Sequence, residues 1–302
     1  MKILLAGATG TLGGPLVSAL AAAGHEVVGL TRTPDGARAL AARGATAVIA
    51  DAMDRDQLLT AVDGMRADAV IHEMTALAKA PVSFADMRAT NRLREVGSAH
   101  LIEAAGAVGA TRFITQSIVF GYGYSDHGER LLTEESPFGV PHGDRTDEPI
   151  AAMVSAEQQA FSIGGIALRY GLFYGDDLQK MRRMLDRWSL PVPARWGGSI
   201  PLVHHRDAAA ATVAALERGI PGRAYNVVDD GATSWRALVQ AVATAATGAR
   251  KPLAVPDRLL RAVAPYAGVM MTRVNMRVSN ELAGRELGWA PAYPTVAEGV
   301  RA

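Results

Sequence analysis

Residues 2–13 read Lys2-Ile3-Leu4-Leu5-Ala6-Gly7-Ala8-Thr9-Gly10-Thr11-Leu12-Gly13, an apolar run broken by glycines at intervals of three. Leu12, Leu16, Val17 and Leu20 then recur at helical spacing, so a buried strand passes through a tight turn straight into an amphipathic helix. Such a turn presents the N–H groups and the positive dipole end of a helix, and a Cβ at its points of closest approach would keep a phosphate out. The spacing is Gly-x-x-Gly-x-x-Gly rather than the Gly-x-Gly-x-x-Gly of the general Rossmann fingerprint, and no Gly-Lys-Ser/Thr follows to make a Walker loop. Three glycines alone fit any tight strand-to-helix turn. With that strand before them and that helix after, they read as the pyrophosphate turn of a dinucleotide site.

Strand and helix patterns keep alternating after this turn. Strands are expected over 25–30, 45–50, 67–74 and 112–116, with helices over 35–42, 54–63 and 91–107 between them. Short loops between such units imply right-handed crossovers and a doubly wound, Rossmann-type parallel sheet of the α/β class. Residues 121–147 lose periodicity and are rich in Gly, Asp, Glu, His and Pro, which reads as an irregular active-site loop. A helix over 150–161 and a buried strand over 165–170 follow. From residue 176 onward come short helices, turns at Pro191, Pro193 and Pro201, and a helix over 207–217. Residues 1–175 are therefore expected to be mainly the dinucleotide-binding domain. Residues 176–302 are expected to form mainly a small C-terminal substrate cap, with segments returning to the core.

Composition narrows the class of protein. At 302 residues, 49% hydrophobic and 20% charged, the chain buries a sizeable core. A net charge of +1 without a block of like charges argues against nucleic acid as a partner. The absence of cysteine excludes disulfides and thiolate metal sites and fits a cytoplasmic location. The N-terminal apolar run is too short for a membrane span or a signal segment.

Several further motifs stand in order: Ala50-Asp51-Ala52-Met53-Asp54, Arg112-Phe113-Ile114-Thr115-Gln116-Ser117, Leu168-Arg169-Tyr170-Gly171-Leu172-Phe173-Tyr174-Gly175, Val203-His204-His205-Arg206-Asp207, Tyr225-Asn226-Val227 and Glu286-Leu287-Gly288-Trp289-Ala290-Pro291. With the glycine turn they make the chain resemble, over nearly its whole length, the extended short-chain dehydrogenase/reductase superfamily. Within it the likeness is to atypical members of the NAD(P)-dependent epimerase/dehydratase branch. The resemblance implies a nicotinamide dinucleotide bound by Gly7, Thr9, Gly10, Thr11, Leu12 and Gly13, with Asp51 and Ala52 beside the adenine. It implies that Glu73, Met74 and Thr75 run along the cofactor and that Asn91 stands behind its nicotinamide half. Gln116 and Ser117 are then beside the ring, and Leu172 and Phe173 line that end. It further implies a homodimer through the helices over 91–107 and 150–161, where Ala151, Ala152 and Ala156 allow close packing.

Cofactor choice is read at the end of the second strand. Leu30-Thr31-Arg32-Thr33 offers no acid for a ribose 2′-OH, whereas the Arg32 guanidinium suits a 2′-phosphate. NADP is favoured over NAD.

The departure from the family concerns its chemistry. In this superfamily a Tyr-x-x-x-Lys pair in the helix before the sixth strand exchanges the proton, the lysine lowering the phenol pKa. Aligned on Glu157, those positions hold Pro149 and Met153, and residues 149–161 contain neither Tyr nor Lys. The expected reaction residues are therefore Ser117 and Tyr122, with Tyr124, Tyr174 and His72 as further candidates. Adjacent His204 and His205 point to opposite sides of an extended segment, so no metal site is expected, and Asp207 is expected to cap the helix that follows. These residues are compatible with an NADP(H)-dependent oxidoreductase or epimerase-like enzyme acting on a small carbonyl, hydroxyl or sugar-type substrate. They are also compatible with a non-catalytic dinucleotide-binding sensor, or with a cofactor-independent isomerase or cyclase.

Overall fold

Seven parallel strands form the centre of the computed structural model, which describes residues 1–77, 79–175, 178–187, 190–195, 197–245 and 252–301. They are β1 (Lys2–Ala6), β2 (Glu26–Thr31), β3 (Thr46–Ile49), β4 (Ala69–His72), β5 (Arg112–Ile118), β7 (Ile166–Tyr170) and β12 (Ala224–Val227), in the order β12-β7-β5-β4-β1-β2-β3. The period of two in β1 decides the layers. Ile3 and Leu5 pack with Leu16, Leu20 and Leu216, while Leu4 and Ala6 pack with Leu58 and Leu101 on the other face. Helices α1 (Gly13–Ala22), α8 (His205–Arg218) and α12 (Glu281–Leu287) cover the first face. Helices α3 (Arg55–Ala61), α5 (Ser98–Val108) and α6 (Asp147–Ser162) cover the second. Each fully buried Leu or Ile contributes about 1.5–3 kcal/mol, so this two-sided sheet is the main source of stability. The strand order reverses direction at β1, which leaves a crevice between the carboxyl ends of β1 and β4, the usual ligand position in open α/β sheets.

Local chemistry starts the helices beside that crevice. Thr33 accepts from the Gly36 amide at 3.1 Å to open α2 (Pro34–Ala41), with proline at its first turn, and Asp54 accepts from the Gln57 amide at 3.1 Å to open α3.

Outside the central sheet the strands form short pairs. β6 (Asp126–Leu132) pairs in parallel with β15 (Asn275–Val278), β8 (Leu172–Tyr174) pairs with β11 (Leu202–His204), β9 (Pro191–Pro193) with β14 (Leu253–Val255), and β10 (Ser199–Ile200) with β13 (Thr233–Ser234). Helices α7 (Leu178–Asp186), α9 (Trp235–Ala245), α10 (Asp257–Val263), α11 (Pro265–Arg273) and α13 (Val296–Gly299) surround them.

Several expectations change here. The stretch over 121–147 is not wholly irregular, because β6 lies within it. Its partner β15 is more than a hundred residues away, which no local periodicity reveals. The helix expected over 91–107 is broken into α4 (Arg88–Arg92), a π-helical segment Leu93–Gly97, and α5. Asp207 does not cap α8. The His204 imidazole does, accepting from the Arg206 amide at 3.2 Å, while Asp207 accepts from the Ala292 and Tyr293 amides at 2.9 and 3.0 Å and ties the C-terminal segment to the core. Ala152 and Ala156 are 0% and 1% exposed, so they pack inside the chain and cannot form a surface for a second copy. The expected domain boundary at residue 176 lies outside the described residues. Among those residues no helix is long and apolar enough to cross a membrane.

Candidate functional site

The glycine turn sits at the carboxyl end of β1, held by Gly10 N–H donating to Gly7 O at 2.9 Å and Gly13 N–H donating to Gly10 O at 3.1 Å. Its glycines serve different ends. Gly7 has φ +97°, and a Cβ there would stand 2.4 Å from Glu73 O; a Cβ on Gly13 would stand 2.4 Å from Ala8 O. Both are required by the protein's own packing. At Gly10 the tightest neighbour of a Cβ would be Gly7 O at 3.2 Å, and Thr9, Gly10 and Thr11 are exposed above the helix N-terminus. The open side of Gly10 is thus available to a phosphate, and the residues present fit a dinucleotide.

At the end of β2, Arg32 is exposed and enters no ion pair or hydrogen bond among the described residues, since Asp35 is taken by Arg38. A second cation missed by sequence reasoning stands close to the turn. The Arg43 guanidinium lies over Gly14, with Nη1 3.1 Å from where a Cβ would be, at the first turn of α1. Nothing in its local sequence marks it, because the approach is made across the fold. Asp51 shapes its own turn, accepting from the Met53 amide at 2.9 Å, and the Ala52 carbonyl accepts from His100 Nδ1 at 2.8 Å.

The carboxyl ends of β4 and β5 have a different character. His72 Nε2, Asn91 Oδ1, Arg94 Nε and Nη1, Ser98 Oγ, Thr115 Oγ1 and Ser117 Oγ are buried without a hydrogen-bond partner. Leaving such a group unsatisfied costs about 1–3 kcal/mol, and native proteins hold few. These six residues lie together on two adjacent strand ends and on the helical segments 88–108. Burial drives the His72 imidazole down to about 4, so it is neutral near pH 7. Met74 donates its amide to His72 Nδ1 at 3.2 Å, Thr75 is exposed, and Gln116 keeps 8% exposure at the end of β5. Asn91 lies within α4, its Nδ2 donating to Glu148 at 3.4 Å. Leu172 and Phe173 on β8 are half-buried and pack against different apolar clusters, Phe173 with its ring centroid 5.3 Å from that of Tyr170.

Two expected residues have other partners. The Glu73 side chain turns away from the crevice into the core. Its Oε1 lies 2.9 Å from the Tyr170 hydroxyl, itself 2.7 Å from the Thr212 hydroxyl, which donates to Ala208 O at 2.8 Å. With one proton per hydroxyl, all three contacts are satisfied together when Glu73 is protonated, and burial pushes its carboxyl up to about 8 against the pull of Tyr170. Glu73 therefore meets the glycine turn through its backbone. Tyr122 is not a free loop acid: its hydroxyl donates to Asn226 Oδ1 at 2.8 Å and accepts from Arg169 Nη1 at 3.0 Å. Arg169 is bound by both Glu157 oxygens at 2.9 and 2.7 Å, and burial raises the Tyr122 phenol above its ordinary value. Pro149 and Met153 are buried one turn apart on the face of α6 turned to the core. The other tyrosine of this loop, Tyr124, shares a 2.8 Å hydrogen bond with Tyr266 of α11, and burial raises both phenols.

His204 and His205 engage in ring contacts, with Tyr293 and Phe173 respectively, and no group of three or more His, Asp or Glu that could hold a metal occurs among the described residues. Arg94 was also missed by sequence reasoning. The signal was present, since it falls in phase with the buried residues Thr90, Ser98 and Leu101.

Known proteins resemble this chain over almost its whole length. A curated relative, the 3-diazoavenalumate denitrifying reductase of a Streptomyces species, is 35% identical over 99% of both chains. The fold is shared with UDP-glucose 4-epimerase of Thermus thermophilus in complex with NAD (TM-score 0.79, 23% identity, 100% of this chain and 97% of that one). It is shared equally with a human epimerase family protein solved with NADPH (TM-score 0.78, 19% identity, 100% and 98%). The family model described as NAD dependent epimerase/dehydratase matches residues 3–228, which hold the glycine turn, both strand ends and α6, and the chain belongs to that family.

Proposed function

We propose that the protein is an NADP(H)-dependent reductase that works on an electrophile able to accept hydride without a proton from the enzyme. The observation that carries this reading is the pair Pro149 and Met153, apolar and buried where family members exchange a proton, with the neighbouring Tyr122 hydroxyl already engaged on both sides. Bound nicotinamide supplies a hydride. Reducing a carbonyl needs a proton as well, whereas replacing a diazonium group by hydride converts the C–N bond to C–H and releases N₂ with no proton consumed. The relative named as a denitrifying reductase of a diazo compound supports the second chemistry.

In this reading Gly7, Thr9, Gly10, Thr11, Leu12 and Gly13 hold the pyrophosphate, and Arg32 with Arg43 reads the 2′-phosphate. Asp51 and Ala52 flank the adenine, and the backbone from Glu73 to Thr75, with Asn91, Gln116, Leu172 and Phe173, encloses the nicotinamide end. Ser117 Oγ, buried and without a partner, orients the substrate. Tyr122 acts as a brace between β12 and the Arg169–Glu157 pair. The cysteine-free chain suits the cytoplasm, and a homodimer would use exposed positions of α5 and α6 such as Ala151.

The test is NADPH oxidation with an arenediazonium salt against a panel of aldehydes, ketones and sugar nucleotides, using NADPH deuterated at C4. Deuterium on the arene carbon with N₂ release supports the reading. Turnover of the carbonyl panel alone, or no nucleotide binding, refutes it.

A further inference from the structure

Arg94 occupies the π-helical segment between α4 and α5 and is 4% exposed. Neither its Nε nor its Nη1 has a hydrogen-bond partner, and no ion pair among the described residues includes it. A guanidinium stays charged at any pH a protein meets, and burying one without a counterion is strongly unfavourable, so an anionic ligand would relieve it. The helix is also irregular at this point, and π segments inserted in α-helices occur frequently at functional sites.

We propose that Arg94 binds a carboxylate of the substrate, an inference that rests on the reductase reading above. The groups that feel its charge are the Tyr124 and Tyr266 hydroxyls and the neutral His72 imidazole, with no acid among them. Only one of the two phenol protons is spent in the Tyr124–Tyr266 hydrogen bond, which leaves the other to donate. A planar guanidinium edge beside a phenol O–H matches the oxygens of a carboxylate. Aromatic walls stand next to it: Tyr266 meets Phe84 edge-on at 5.4 Å, and Tyr124 stacks on Phe120 at 5.1 Å. The ligand class is thus a flat, unsaturated or aryl carboxylic acid. The cofactor is a poor claimant, because its phosphates belong to the glycine turn and to Arg32 on the β1–β2 side. Arg94 stands instead on the β4–β5 side beneath Tyr266 of the cap.

The probe is trans-cinnamate against its uncharged methyl ester, titrated by calorimetry into the full chain with and without NADP⁺. Wild type should prefer the acid by about ten- to a hundredfold, the range for charge-assisted bonds. Arg94→Met should erase that preference, keep NADP⁺ affinity, and unfold at the same or a higher temperature, since it removes an unpaired buried charge. Arg94→Lys should retain part of the preference. Equal affinity for acid and ester in wild type overturns the proposal, as does a lower melting temperature for Arg94→Met, which would make the guanidinium structural. A parallel loss of NADP⁺ affinity overturns it too, by assigning the anion to the cofactor. Wild type that binds NADP⁺ yet ignores the carboxylate leaves the reductase reading standing, and one that prefers the acid but binds no nucleotide does the reverse.

Discussion

The two ends of the crevice are built on opposite principles. On the β1–β2 side Thr9, Gly10, Thr11 and Arg32 are exposed to solvent. On the β4–β5 side Arg94, Ser98, Thr115 and Ser117 are sealed from water and unsatisfied. An exposed cation gives affinity that salt screens, whereas a sealed polar group acts at low effective dielectric and is costly until its partner comes. In the proposed reading the first end holds the cofactor and the second acts on the substrate.

The strongest way to break this comparison lies in the glycine turn. Gly10→Val should abolish NADPH binding with the fold intact by circular dichroism, while Gly13→Val should fail to fold because its side chain meets the Ala8 backbone. Normal cofactor affinity in a folded Gly10→Val protein would show that no phosphate sits there. Next in size, Ser117→Ala should cut turnover by about ten- to a thousandfold with the Kd for NADPH unchanged. If affinity falls in step with turnover, the sealed end holds cofactor and the contrast between the ends disappears.

Arg32→Ala should weaken NADPH by about ten- to a hundredfold and leave NADH nearly alone, with Arg43→Ala acting in the same direction. Calorimetry at two salt concentrations checks it, since the exposed contribution should shrink as salt rises. Equal losses for both cofactors would assign Arg32 another role. Tyr122→Phe should cost about 1–3 kcal/mol of stability by chemical denaturation and leave turnover close to wild type. A collapse of turnover without loss of stability would restore Tyr122 as an acid.

The smallest effect is one of pH. The Glu73 carboxyl is raised from 4.5 to about 8 in the folded chain, so its protonated form stabilises the fold fully below 4.5, and that stability is lost as pH rises toward 8. Asp229, pushed by burial to about 8, adds a slope of the same sign. Glu73→Gln should flatten the decline, leaving the part due to Asp229. An unchanged slope in urea melts across that range would mean that Glu73 is ionised in the fold.

Much of this was legible in the sequence because it depends on neighbours in the chain. A glycine turn needs only a strand before it and a helix after it, and β1, β2, β4, β5 and β7 announce themselves by apolar runs of the right length. Pro149 and Met153 could be recognised as departures without any coordinates, since neither side chain carries a proton at any pH. The fold class and the strand–glycine turn–helix unit were determined at that level, and so was the absence of Tyr and Lys from residues 149–161. What tertiary structure alone decided depends on partners far along the chain: β6 beside β15, Asp207 holding Ala292 and Tyr293, and Tyr122 engaged by Asn226 and Arg169. Glu73 belonged by its position to the crevice, yet Tyr170, ninety-seven residues on, claims its side chain. Arg94 is the sharpest case. Whether an arginine is a solvated surface charge or a buried cation depends on what covers it, and the hydroxyls that feel the Arg94 charge come from the loop after β5 and from α11.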